Sequence, residues 1–260
     1  MFIHMSRRNQ MIERYTRPEM GHLWSIQNEW QTILNVEIAA CEAMAELGEI
    51  PTAAVENIKA NAKFDVARIN EIEKTTDHDI IAFLTNLEEN VGEDSKYIHK
   101  GLTSSDVKDT AYCVMMRDAA AIILDDLNAF REVLRRRAEE FRHTPCIGRT
   151  HGIHAEPMTF GLKLLLWSAE IERDIERLTR AKEIVSVGKL SGAVGTYSNI
   201  DPRIEELTCK KLGITPVRLA TQVIQRDRHA EFVTTLAIIA GTMEKIATEI
   251  RNLQRTDIRE

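Results

Sequence analysis

Glycine and proline are scarce in this 260-residue chain, at 12 and 6, which leaves few turn signals for a sheet of many strands. No apolar run approaches the ~20 residues needed to cross a bilayer; the longest lie around Ala119–Leu124 and Leu164–Trp167. The first ten residues lack the long apolar segment of a secretory signal, and 1–10 read as a short extension or cloning remnant. Cys41, Cys113, Cys146 and Cys209 are widely spaced and form no CxxC pair. They read as reduced thiols of a cytoplasmic protein. The net charge of −6 gives no support for nucleic-acid binding, so an anionic ligand would need a local cluster of basic groups and helix ends.

What remains is a composition made for helices. Ala, Leu, Ile, Glu, Arg and Lys dominate, and a hydrophobic content of 43% suffices for one large core or two smaller ones. Cys113, Met116, Ala120, Ile123, Leu127, Phe130 and Leu134 alternate spacings of three and four. Phe160, Leu164, Trp167, Ile171, Leu178, Ala181 and Val185 keep the same phase, broken only by Asp174. Phe232, Leu236, Ile239, Met243, Ile246, Ile250 and Leu253 form a third stripe. Such stripes predict three helices of about 30 residues, each about 45 Å long, packed in an elongated bundle. The fold expected is therefore all-α, with a small helical domain over 11–103 followed by a long-helix bundle over 104–260. In the first domain, Pro18 to Gly48 reads as one helix and Pro51 opens the next. The last helix is expected to run into 256–260 without a stop signal, so the bundle reads as truncated.

Polar residues gather at the breaks between these helices, where a rigid scaffold can present them. Four clusters stand out: Arg14-Tyr15, Asp77-His78-Asp79, His99 to Asp106, and Gly148-Arg149-Thr150-His151-Gly152 followed by His154. His151, flanked by glycines, suits a tight loop and could serve as a general acid or base, or as a structural loop histidine. The acids beside His78 could fix its tautomer or stabilise its charged form. Thr103, Ser104 and Ser105 could cap the next helix or hold a phosphate or carboxylate at its positive end. His151 and His154 lack a third ligand nearby, so no metal site is expected. In the stretch Gly188–Gly195, Leu190 follows Gly188-Lys189 where a phosphate loop needs Ser or Thr.

Met11–Met20, Gly101-Leu102-Thr103-Ser104-Ser105-Asp106, Gly148–Gly152 with His154–Pro157, Gly192–Tyr197 and Gln222–Ala230 resemble the adenylosuccinate lyase family. The second and third of these motifs are common to the wider fumarase/aspartase superfamily, whereas the start at Met11 and the Gln222 segment point to this member. The resemblance implies a homotetramer with active sites shared between subunits and small-molecule nucleotide substrates. It implies neither metal nor organic cofactor, and no membrane or nucleic-acid partner. The reaction implied is β-elimination of fumarate from adenylosuccinate, giving AMP, and from succinyl-aminoimidazole carboxamide ribotide. By resemblance His151 is the general acid and His78 supports the site, while Arg14 and Tyr15 match a phosphate-binding pair. Asp79, His99, Thr103, Ser104 and Gln222 match further substrate contacts. Asp77 departs from the family pattern. The family's Gly-Ser-Ser-x-Met-Pro-x-Lys-x-Asn-Pro loop, which carries its general base, is expected just beyond Glu260. The 260 residues alone are therefore expected to be inactive and, with unpartnered stripes, to self-associate. Argininosuccinate lyase, a carboxymuconate cycloisomerase and a non-catalytic helical scaffold are the alternatives.

Overall fold

The computed structural model describes residues 12–260; the extension expected over 1–10 lies outside them. The described residues form α1 (Pro18–Leu23), α2 (Ile26–Glu46), α3 (Thr52–Asn61), α4 (Val66–Thr76), α5 (Asp79–Val91), α6 (Ser104–Glu140), α7 (Phe160–Val185), α8 (Pro202–Leu212) and α9 (Asp227–Leu253). A hairpin of β1 (Pro145–Thr150) and β2 (Ile153–Thr159), a two-residue parallel pairing of β3 (Val187–Gly188) with β4 (Thr215–Pro216), and two short 3-10 turns (Glu13–Tyr15 and Gly92–Tyr97) complete them. The expected helix from Pro18 to Gly48 is two helices. Ser25 adopts an extended ψ and its Oγ accepts from the Asn28 amide at 3.2 Å, so it restarts the chain as an N-cap. The last helix likewise ends at Leu253, with the following residues turning rather than continuing to 256–260.

Two compact units share the chain. One gathers the described residues up to Ala119 with Val185–Gln225, the other Ala120–Ile184 with Arg226–Glu260. In the first, Ile33, Met44, Ile58, Ile69, Ile80, Phe83 and Leu87 are almost wholly buried in one cluster that also takes in Val107, Leu190 and Ile204. Phe83 stacks on Trp30 with ring centres 4.9 Å apart and meets Phe64 edge-on at 5.9 Å.

In the second unit the stripes face inward as their spacing requires. Leu127, Leu134, Leu164, Trp167, Ile171, Leu178, Phe232, Ile239 and Ile246 are buried, while Ile250 stays 41% exposed. Asp174, the break in the α7 stripe, is buried too, with Arg177 donating to its Oδ1 at 3.0 Å from one turn on. A face that the stripes did not reveal is the exposed trio Leu162, Leu165 and Leu166 on α7.

The start of α6 is set by a charge pair with no solvent exposure on either side chain, Asp106 with Lys189. Asp106 Oδ2 reaches back to the Thr103 amide at 2.8 Å, the reciprocal half of a capping box. It also accepts from the Gly192 amide at 3.2 Å, while Oδ1 takes the Ser191 amide at 3.1 Å and the Lys189 ammonium. Lys189 Nζ donates in addition to the Gly192 carbonyl at 2.9 Å. Removing one partner strands the other charge in a low-dielectric interior. Lys189→Met should cost about 3–5 kcal/mol of unfolding free energy in urea titration, whereas the double variant Asp106→Leu/Lys189→Met should recover part of that loss. An additive double variant would contradict this account of the pair.

Candidate active site

Asp77 closes α4 in the left-handed conformation, at φ 48°, and the next residue, His78, is already the N-cap of α5. A one-residue link thus aims the His78 ring across the first turn of α5. Its Nδ1 accepts from the Ile81 amide at 3.4 Å and lies 3.7 Å from Asp79 Oδ1. With Nδ1 accepting, the neutral ring carries its proton on Nε2, and Nε2 lies 3.5 Å from Ser104 Oγ. Asp79 pairs in turn with the Lys108 ammonium. Burial pushes the Asp79 carboxyl up, but the hydrogen bond and charge of Lys108, with the Ile80 amide, outweigh it and hold the group below its ordinary value. Three of the expected residues, His78, Asp79 and Ser104, are therefore brought together where α5 and α6 begin, and Thr103 is the adjoining cap. Asp77, which departs from the family pattern, is the left-handed C-cap of α4.

Glycine is required at 101. Its φ is +75°, and a Cβ there would stand 2.3 Å from the Asn199 carbonyl oxygen. That close approach joins the 99–103 loop to the segment after Gly195. His99, at φ 62°, opens the loop and is held by Glu37 of α2. Its amide donates to Glu37 Oε2 at 3.0 Å, and its Nδ1 lies 2.5 Å from Oε1. Behind this, Glu205 of α8 accepts from the Leu190 amide at 2.6 Å and from the Tyr197 hydroxyl at 2.8 Å.

In the second unit, the break containing His151 is ordered as the β1–β2 hairpin. Thr150 faces Ile153, so His151 and Gly152 form a two-residue loop. Both have positive φ, at 55° and 72°, as a type I′ turn needs. The register skips Ala155 between the Gly148–Glu156 and Arg149–His154 pairs, a bulge that adds twist below the tip. Both His151 and His154 are exposed.

Of five described non-glycine residues with positive φ, Asp77, His99, His151 and Tyr197 fall in segments singled out from the sequence. Backbone strain of this kind persists where surrounding contacts enforce it, and it concentrates at functional sites. Arg14 and Tyr15 sit in a short 3-10 turn, Arg14 stacked 4.6 Å over the ring of a largely exposed Tyr15. Gln222 is exposed in the irregular segment before α9. Glu37, Lys108 and Glu205 were not anticipated. Lys108 was findable, since it follows Ser104 by one helical turn; Glu37 lies 62 residues from His99 and left no local signal. All four cysteines are free thiols. Among the described residues no helix is long and apolar enough to cross a membrane, and no three His, Cys, Asp or Glu side chains are grouped to hold a metal ion.

A family model described as "Lyase" matches residues 6–260. The chain belongs to the Lyase family. It is 56% identical over 250 residues to the adenylosuccinate lyase of Synechocystis sp., across 96% of this chain and 58% of that protein. Identity to the adenylosuccinate lyase of Bacillus subtilis is 52% over the same shares. The chain thus spans 58% of the length of these curated relatives. Among solved structures, 3-carboxy-cis,cis-muconate lactonizing enzyme from Pseudomonas putida superposes with a TM-score of 0.90 at 29% identity, covering 97% of this chain and 60% of that one. The fumarase/aspartase-like, long-helix fold expected from the sequence is the one present, with a few short strands added to it.

The His99–Glu37 contact carries a pH signature. Burial pushes the His99 imidazole down, but the hydrogen bond and charge of Glu37, with Asp106 behind it, outweigh burial and raise it above its ordinary value. A raised histidine stabilises the fold fully below about pH 6.5, its unfolded value, and that contribution disappears as pH climbs through the folded value. Thermal unfolding between about pH 6 and pH 8 should show the melting temperature falling with pH, and Glu37→Gln should flatten the slope. Equal slopes in both proteins would exclude His99 as its source.

Proposed function

We propose that this chain carries part of the active site of an adenylosuccinate lyase, one that eliminates fumarate from adenylosuccinate and from succinyl-aminoimidazole carboxamide ribotide. The observation that carries this reading is the likeness to two adenylosuccinate lyases along nearly the whole chain. Elimination needs a base for a proton beside a carboxylate, donors for the aci-carboxylate that forms, and an acid for the departing nitrogen. His151 takes the acid's role; its place on an exposed, conformationally fixed turn supports it. His78, with Ser104 and Thr103 at the positive ends of α5 and α6, receives the succinyl carboxylates. Arg14 and Tyr15 hold the phosphate, and Asp79, His99 and Gln222 complete the substrate contacts. The enzyme works in the cytoplasm without a metal or organic cofactor, as a homotetramer whose subunits share sites. The exposed Leu162, Leu165 and Leu166 support such association.

Loss of adenylosuccinate absorbance, followed in the full product of the gene, tests the reading. His151→Ala should lower kcat by about 10²- to 10⁴-fold while the protein remains folded. Turnover of argininosuccinate in place of adenylosuccinate would overturn the substrate assignment. For the assembly, Leu165→Glu/Leu166→Glu should sediment as a smaller species than the unmodified protein, and an unchanged profile would remove α7 from the interface.

A further inference from the structure

α6 meets the N-terminal turn of α5 at two successive rungs. Ser104 stands opposite His78, with 3.5 Å between Oγ and Nε2. One turn further on, Lys108 pairs with Asp79, the residue after His78. Residues four apart on a helix lie one above the other, so consecutive residues of α5 are matched to stacked residues of α6. The Ser104 contact is at the limit of hydrogen-bonding range and cannot fix an imidazole by itself. The Asp79 carboxylate is firmly tied: Oδ2 to Lys108, and Oδ1 to the Ile80 amide at 2.8 Å, with His78 Nδ1 3.7 Å away. The groups facing Asp79 are thus His78 from its own turn and Lys108 from α6.

We propose that Lys108 is a positioning residue for the β-elimination, pinning Asp79, and with it the first turn of α5, against α6 so that the N-cap His78 is held facing Ser104. The inference rests on the lyase reading above, in which His78 and Ser104 meet the substrate. Lys108 acts through Asp79 and does not itself touch the reacting atoms. The pair is partly exposed, with 37% of the Lys108 side chain and 24% of Asp79 open to solvent. It therefore contributes little to stability, and its substitution leaves the fold intact.

The test uses the full gene product as wild type, Lys108→Met and Lys108→Arg. Lys108→Met keeps the aliphatic stem and loses the charge. Its kcat should fall about tenfold or more, because a small displacement of a positioned group is costly, while KM changes by less than about threefold. Its melting temperature should stay within about 4 °C of wild type, and Lys108→Arg should recover most of the rate. A crystal structure of Lys108→Met should show His78 Nε2 beyond hydrogen-bonding distance of Ser104 Oγ. An unchanged kcat, a defect confined to KM, or a His78–Ser104 contact left in place would each overturn the proposal; the second would make Lys108 a direct substrate contact. Failure of the wild type to cleave adenylosuccinate would instead overturn the lyase reading, and the crystallographic arm would then judge the positioning role alone.

Discussion

A carboxylate and an ammonium taken wholly out of water must satisfy each other and every remaining lone pair, and Asp106 and Lys189 do so across 83 residues of chain. Four donors converge on the Asp106 carboxylate: the amides of Thr103, Ser191 and Gly192 and the Lys189 ammonium. Thr110 clasps the Lys189 backbone from both sides, accepting its amide at 3.0 Å and donating to its carbonyl at 3.1 Å. The cap of α6 and the 189–192 segment therefore cannot move apart without exposing an unpaired charge to an apolar interior. Leu190, the residue after Lys189, is anchored to Glu205, which extends the same constraint to α8 and Tyr197.

Three of the polar groups proposed to meet substrate, Thr103, Ser104 and His78, lie next to that anchor. Thr103 is bonded to Asp106 directly, Ser104 is the next residue, and His78 faces Ser104. Their backbones are fixed from within while their side chains stay accessible, the division a binding site needs. Left-handed residues serve the same end. Asp77 reverses the chain so that His78 can cap α5, and His99 turns the loop so that both its amide and its ring reach Glu37. At the hairpin, His151 pairs a left-handed backbone with an exposed ring.

Some of this was legible beforehand. The three stripes foretold α6, α7 and α9, because burying one face of a long helix imposes a three-four spacing that no other element shares. The run Thr103, Ser104 and Ser105 marked a helix start, since a cap bonds to amides within one turn of itself. The hairpin was not foreseen. Its exposed strands lack a buried face, and hence an alternating pattern, and only the turn dipeptide His151-Gly152 pointed to it. Ser25 was likewise a cap hidden inside a segment whose apolar phase looks continuous. The exposed leucines of α7 stand beside the buried stripe and were masked by it.

By itself, then, the sequence determined the long helices, the family likeness and the identity of most candidate site residues, because these depend on neighbours within a turn or two. The tertiary structure decided which charges are partners: Lys189 for Asp106, Glu37 for His99, Lys108 for Asp79. Electrostatic pairing depends on distance and burial in space, and a chain separation of 29, 62 or 83 residues carries no information about either.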